Sequence, residues 1–218
     1  MKKLFLVAVA LFVSGATFSQ TLSSATSTTQ YGLKAGVNLP KYNMTSEIVS
    51  YETESALNFH ITGFADVPIG SGFSFQPGIS LQGKGSKVTA SLFGLEVKGT
   101  ENTLAIEVPL NFVGKIPVGP GKLYFGAGPY IAGSVAGKLK RQELDGSETS
   151  SDMKFGNGDD ADQKFLDYGA NFLGGYQFDS GLLIGGGYGL GLANLLPNGD
   201  SKNKTNNRVL SFSLGYMF

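Results

Sequence analysis

From residue 30 to the last residue, apolar and polar positions alternate with period two, the signature of strands whose two faces meet different surroundings. One set of positions is apolar in every run: Tyr31, Leu33, Ala35 and Val37; Leu57, Phe59 and Ile61; Phe73, Phe75, Ile79 and Leu81; Leu104, Ile106, Val108, Leu110 and Phe112. It continues through Leu123, Phe125, Ala127 and Ile131, then Leu166, Tyr168, Phe172, Tyr176 and Phe178, then Leu182, Ile184, Tyr188, Leu190 and Leu192, and ends with Leu210, Phe212, Leu214, Tyr216 and Phe218. The alternate set is polar or very small, and includes Lys34, Asn38, His60, Thr62, Gln76, Ser80, Lys84, Glu107, Asn111 and Asp167. The pattern predicts eight strands, near 30–39, 56–67, 73–87, 101–113, 122–137, 164–178, 181–194 and 207–218.

Alternation alone does not say which set faces inward, and a soluble barrel would bury the apolar one. The connections break the tie. Short ones (68–72, 114–121, 179–180) carry Gly, Pro, Ser and Asp turn chemistry and alternate strictly with long ones (40–55, 88–100, 138–163, 195–206). Transmembrane barrels show this asymmetry, with an even strand number. The prediction is therefore an all-β, eight-stranded antiparallel up-and-down transmembrane β-barrel over 30–218, with both termini beside the short turns. Closure is required in lipid, where an unpaired backbone N–H or C=O is costly. Eight strands give a lumen about filled by side chains. The glycine-rich stretch 181–196 leaves one wall of that lumen almost bare, so Tyr124, Tyr130 or Phe64 can reach across it.

The first residues differ in kind. Lys2 and Lys3 precede an apolar run from Leu4 to Val13 and small residues before Gln20, the layout of a secretory signal peptide over 1–19. Residues 20–29 then form a flexible polar tail. The whole chain carries 17 basic and 17 acidic residues; without Lys2 and Lys3 the balance is 15 − 17 = −2, which argues against nucleic acid as a partner. There is no cysteine and one histidine. Disulfides, a lipoprotein anchor, a thiol nucleophile and structural zinc are thereby excluded, and no cofactor is expected. Glycine, 32 of 218 residues, falls mostly in the predicted strands, where a narrow lumen admits little volume.

Candidate chemistry concentrates on the inward face. Inward Lys34 and Lys84 match inward Glu107 and Asp167 by height, Lys34 with Glu107 and Lys84 with Asp167. With His60 near the first pair they are expected to form a polar plug, because buried charges must be paired. His60, Asp66 and an inward serine, Ser74 or Ser80, are the residue types of a hydrolytic triad. Six residues along a strand, however, separate His60 from Asp66 by ~20 Å. In 138–163 the run 157–162 clusters carboxylates without the spacing of a calcium loop, and a mobile, solvated external loop is the expectation. Leu92, Phe93 and Leu95 form an apolar tip to the second long loop, a candidate contact for a partner.

Three stretches carry a resemblance: SFQPGISLQGKGSK (74–87), the pair FGAGPYIAG (125–133) and GGYQFDSGLLIGGGYGLGLANL (174–195), and the terminal SFSLGYMF (211–218). They resemble the PorT-like outer-membrane β-barrel family common in Bacteroidota, over about Tyr31 to Phe218. The resemblance implies insertion into outer-membrane lipid after export. The terminal alternation through Phe212, Tyr216 and Phe218 is similar to the signal that barrel-assembly machinery reads. One subgroup of the family is linked to type IX secretion. The expectation is a non-enzymatic outer-membrane barrel with a filled lumen, whose long loops meet an envelope protein, a ligand or a secretion component. Two other classes stand against it: a lipocalin-like periplasmic carrier, and a lipid-modifying barrel enzyme.

Overall fold

The computed structural model describes residues 28–47, 50–92, 95–142 and 147–218. The signal segment 1–19, nearly all of the tail, and Phe93 with the side chains of Leu92 and Leu95 lie outside the described residues. Among the described residues ten strands follow one another: β1 (Gln30–Thr45), β2 (Ser50–Glu54), β3 (Asn58–Gly70), β4 (Phe73–Leu92), β5 (Leu95–Pro117), β6 (Gly121–Gln142), β7 (Glu148–Asp152), β8 (Leu166–Phe178), β9 (Leu182–Gly191) and β10 (Lys204–Met217). Eight of them close a ring in the order β1-β3-β4-β5-β6-β8-β9-β10, and β10 returns to pair with β1. Every pairing in the ring is antiparallel, so no strand edge is left open around the barrel.

The alternating pattern dictates the outcome at each strand. Leu214 is 61 % exposed and Phe112 56 %, while His60 and Glu107 on the alternate set are 3 % and 4 % exposed. A soluble barrel would show the reverse, so the molecule is apolar outside and polar within. Tight turns join the strands at the end where β1 begins and β10 finishes. Gly72 and Gly181 take φ values of +77° and +90° there, which a side chain would strain.

At the other end the structure departs from the pattern in two ways. β4, β5 and β6 run well past their expected limits, and the β4–β5 hairpin stays paired up to Leu92 opposite Leu95. Two strands that the pattern does not predict then cover its flanks: β2 pairs with β4, and β7 pairs with β6. Together β2-β4-β5-β6-β7 form a five-stranded sheet rising above the barrel on one side. Neither SYETE nor ETSSD has an alternating apolar face. They are strands because the extended hairpin offers them backbone edges to pair with.

The expected mobile loop 138–163 is a correction for the same reason. Its first part continues β6, its middle is β7, and the remainder returns to the barrel, where the Tyr42 hydroxyl donates to Gln163 Oε1 at 3.4 Å. Met153 and Gln163 are buried, the Met153 N–H donates to Gly137 O at 2.9 Å, and the Lys164 N–H donates to Leu195 O at 2.8 Å. Apolar anchors among the acidic residues hold this strap down. Below it Tyr42, Ala193 and Leu195 pack into a small apolar seal with Met44.

Candidate functional site: the polar lumen

Inward side chains gather at three levels. At the outer level the Lys84 ammonium lies 3.0 Å from Glu107 Oε2 and 2.9 Å from Asp167 Oδ2, all three groups being buried. Tyr130 closes the group from the side: its hydroxyl donates to Asp167 Oδ2 at 3.2 Å, and Lys84 Nζ sits 4.6 Å from its ring centroid. The Asn171 amide donates to Glu107 Oε1 at 3.0 Å, and the Asn207 amide to Asp167 Oδ2 at 3.3 Å. Asp167 Oδ1 and Asn207 Oδ1 are buried without a protein partner among the described residues.

The middle level is neutral apart from Lys34. Asn38 Nδ2 donates to Gln82 Oε1 at 2.8 Å and to the Gly83 carbonyl at 3.0 Å, which turns the Asn38 oxygen toward His60. His60 Nδ1, 2.8 Å from that oxygen, is therefore the donor. Thr62 and Ser80 hydroxyls meet at 2.6 Å. At the inner level Asp66 Oδ2 takes the Lys115 ammonium at 2.6 Å, while its Oδ1 accepts from Ser74 at 2.6 Å and Gln76 at 2.7 Å.

The sequence-derived pairing is corrected at one point. Lys84 meets Asp167 as the heights imply, but it also takes Glu107, which height matching assigns to Lys34. β4 and β5 are neighbours, so long side chains on them meet along the wall; β1 stands three strands away from β5 around the ring. The Lys34 ammonium instead lies 5.7 Å from the Phe64 ring centroid and is in no ion pair among the described residues. Counted together, Lys34, Lys84 and Lys115 balance Asp66, Glu107 and Asp167. The lumen is neutral as a whole although its pairs are unequal.

Ser74 does bond Asp66, but His60 is turned to Asn38, so no serine–histidine–aspartate relay is assembled. In the strap, Asp162 Oδ2 accepts from the Lys154 N–H at 2.8 Å, so that carboxylate caps its own loop. No cluster of three or more His, Asp or Glu suited to a metal occurs among the described residues. Lys115 is the lumen charge that the sequence reading misses; continuing the β5 alternation two residues past Val113 would have found it.

Between the levels lies a cavity of about 70 Å³, lined by Lys34, His60, Asn111, Tyr124, Tyr130 and Asn171 among others. That is well above the ~10–15 Å³ that one water needs, so the cavity has room for water. Asn111 Oδ1, buried and without a protein partner among the described residues, borders it. On the bare wall, a Cβ added at Gly175 would stand 2.5 Å from the Tyr124 hydroxyl, and one at Gly185 would overlap it. The missing side chains there are what admit Tyr124 into the lumen.

The comparisons agree with this architecture. OprG from Pseudomonas aeruginosa superposes with a TM-score of 0.50 at 12 % identity, over 87 % of this chain and 95 % of that one. Ail of Yersinia pestis (TM-score 0.41, 11 % identity, 87 % and 98 % covered) and the neisserial surface protein NspA (0.41, 14 %, 88 % and 98 %) are also similar. No curated protein matches the chain in sequence. The family model described as outer membrane protein beta-barrel domain matches residues 18–197, most of the chain, so the protein belongs to that outer-membrane β-barrel family.

Proposed function

We propose that this protein is a non-enzymatic barrel of the bacterial outer membrane, closed to diffusion, that presents its external sheet and strap to an envelope protein, a ligand or a secretion component. The observation that carries the reading is the outer lumen level. An ammonium buried between two carboxylates and backed by a tyrosine fills the bore where a channel would need water, and it is held by groups with no nucleophile–base pair among them. The exposed apolar exterior supports residence in lipid over a periplasmic carrier. The outward row Phe212, Tyr216 and Phe218 on and beside β10, with Tyr216 and Phe218 rings 6.1 Å apart, supports recognition by barrel-assembly machinery. Loop contacts at Leu92, Phe93 and Leu95, kinship with PorT-like barrels of Bacteroidota and a cleaved export signal belong to the same reading.

Planar-bilayer recording tests it. The wild-type barrel is expected to show no steady conductance, and Tyr124→Ala combined with Lys84→Ala to conduct; open wild-type pores would overturn the closed reading. Cross-linking on intact cells through Ser150→Cys, at an exposed position of β7, tests the external role. One specific adduct is expected, and its absence across growth conditions would count against a partner.

A further inference from the structure

The outer level of the lumen holds more than an ion pair. Lys84 projects from β4 and Asp167 from β8, with β5 and β6 standing between these strands in the ring, so their contact crosses the bore. Lys84 Nζ is 2.9 Å from Asp167 Oδ2 and 3.0 Å from Glu107 Oε2, and all three residues are at most 5 % exposed. Asp167 Cγ, one covalent bond beyond Oδ2, is therefore no more than about 4 Å from the nitrogen. Bonds form from ~3–3.5 Å, a separation that a small shift of the lysine reaches.

The partners of Asp167 are distributed unevenly. Its Oδ2 takes the Lys84 ammonium, the Tyr130 hydroxyl at 3.2 Å and the Asn207 amide at 3.3 Å. Its Oδ1 is buried and has no protein partner among the described residues. One oxygen is thus held by donors placed to stabilise negative charge, and the other is left free to depart. Glu107 stands against the nitrogen as a base, its Oε1 fixed by the Asn171 amide at 3.0 Å. The groups around Lys84 offer no nucleophile to a substrate; the nucleophile at this level is the lysine itself, once it gives up a proton.

We propose that this triad is a self-modification site, at which Lys84 Nζ and Asp167 Cγ join in an intramolecular amide (isopeptide) bond with loss of one water. A proton passes from the Lys84 ammonium through Glu107 to Asp167 Oδ1, leaving a neutral amine and a neutral carboxyl. The lone pair of the amine forms the N–C bond while the carbonyl electron pair moves onto Oδ2, beside Tyr130 and Asn207. The nitrogen then gives a second proton to Oδ1 by the same route, the Cγ–Oδ1 bond breaks with its electrons leaving on the water, and the Oδ2 carbonyl re-forms. Nitrogen keeps one hydrogen, water takes two, and Glu107 ends as the carboxylate it began as. No oxidant or co-reactant is needed.

Burial supplies the driving force. An ion pair held out of water is poorly solvated, so exchanging it for a neutral amide is favoured in the lumen, while the bulk water that stabilises free ions is kept away. The released water has a place to go, since the adjoining cavity is lined by Lys84, Glu107 and Tyr130. Charge stays balanced as well: one cation and one anion disappear together, and Glu107 is left to Lys34, the other lysine on that cavity. The reaction follows folding, so a freshly folded chain carries the ion pair and an aged one the bond.

Peptide mapping of the mature chain, unfolded after extraction from membranes or after refolding in detergent, reads the bond. Trypsin is expected to leave Lys84 uncut, and the fragment carrying it to be joined to the one carrying Asp167, lighter by one water than the two together. In a refolding time course E107Q is expected to form the joined fragment about a hundredfold more slowly, and D167A not at all. Wild type cut normally at Lys84, with both fragments free, overturns the proposal. A joined fragment that carries Glu107 in place of Asp167 overturns the assignment, and equal rates in wild type and E107Q overturn the role of Glu107 as the base. Heat-modifiable migration in gels shows whether E107Q folds. Should it not, wild type held in urea is the control, because a joined fragment forming there as fast as in the folded barrel overturns a bond made by the lumen.

Discussion

The inner and outer levels of the lumen both hold an ion pair, yet they are built on opposite stoichiometries. At the inner level one carboxylate, Asp66, is met by one ammonium and two neutral donors, and both its oxygens are satisfied. At the outer level one ammonium serves two carboxylates, and Asp167 keeps an oxygen without a protein partner among the described residues. Lys115 keeps some contact with solvent near the rim, whereas Lys84 is buried. The barrel therefore depends on a single residue at the outer level and not at the inner one. Removing Lys115 leaves one carboxylate with two donors; removing Lys84 leaves two buried anions facing each other.

The largest effect is therefore expected for Lys84→Met. Stranding buried charge costs about 3–5 kcal/mol, and here two groups are stranded. Urea unfolding in phospholipid vesicles should show that loss, and adding Glu107→Gln and Asp167→Asn should recover most of it. Lys115→Met should cost only about 1–2 kcal/mol, since Ser74 and Gln76 still donate to Asp66. Equal losses at the two levels would break the comparison.

These expectations also mark what the sequence makes legible. Lipid demands an uninterrupted apolar row, so Leu33, Phe59, Phe112 and Leu214 reveal the outward face, and parity then puts Lys84, Glu107 and Asp167 inside. Which carboxylate each lysine takes depends on strand neighbourhood and side-chain reach, and alternation encodes neither; Glu107 is assigned to Lys34 for that reason. Lys115 escapes because the strand is ended at Val113, where the apolar row is still legible but the turn is taken to begin early. β2 and β7 carry no pattern of their own, being strands only against the edges of β4 and β6.

A pH dependence separates the spanning lumen from the wall above it. Glu101 faces inward on the β5 extension, above the last outward apolar residue Leu104 and so outside the spanning part. Burial pushes its carboxyl up to about 7, the Asp162 carboxylate of the strap adds to the rise, and Arg141 opposes it. A carboxyl raised on folding is costless below its unfolded value near 4.5, and its ionisation costs stability as pH climbs toward and past 7. The strap should loosen between pH 5 and 8 by ~1–3 kcal/mol. Proteolysis within 154–163, expressed as the ratio of wild type to Glu101→Gln, should rise across that interval. A flat ratio would remove Glu101 from the control of the strap.

The smallest effect is expected at Lys34, although its charge is needed for the lumen to sum to zero. Its ammonium has no carboxylate in contact among the described residues and lies 5.7 Å from the Phe64 ring centroid, an arrangement that contributes about 0.5–1 kcal/mol. It also borders the cavity, where water can solvate it and relay part of its charge to Glu107 and Asn111. Lys34→Met should then lower stability by roughly 1 kcal/mol, against several for Lys84→Met measured in the same vesicles. A loss at Lys34 as large as that at Lys84 would mean that water couples Lys34 to Glu107 as tightly as direct contact does, and the unequal levels would have to be redrawn as two complete pairs joined through the cavity.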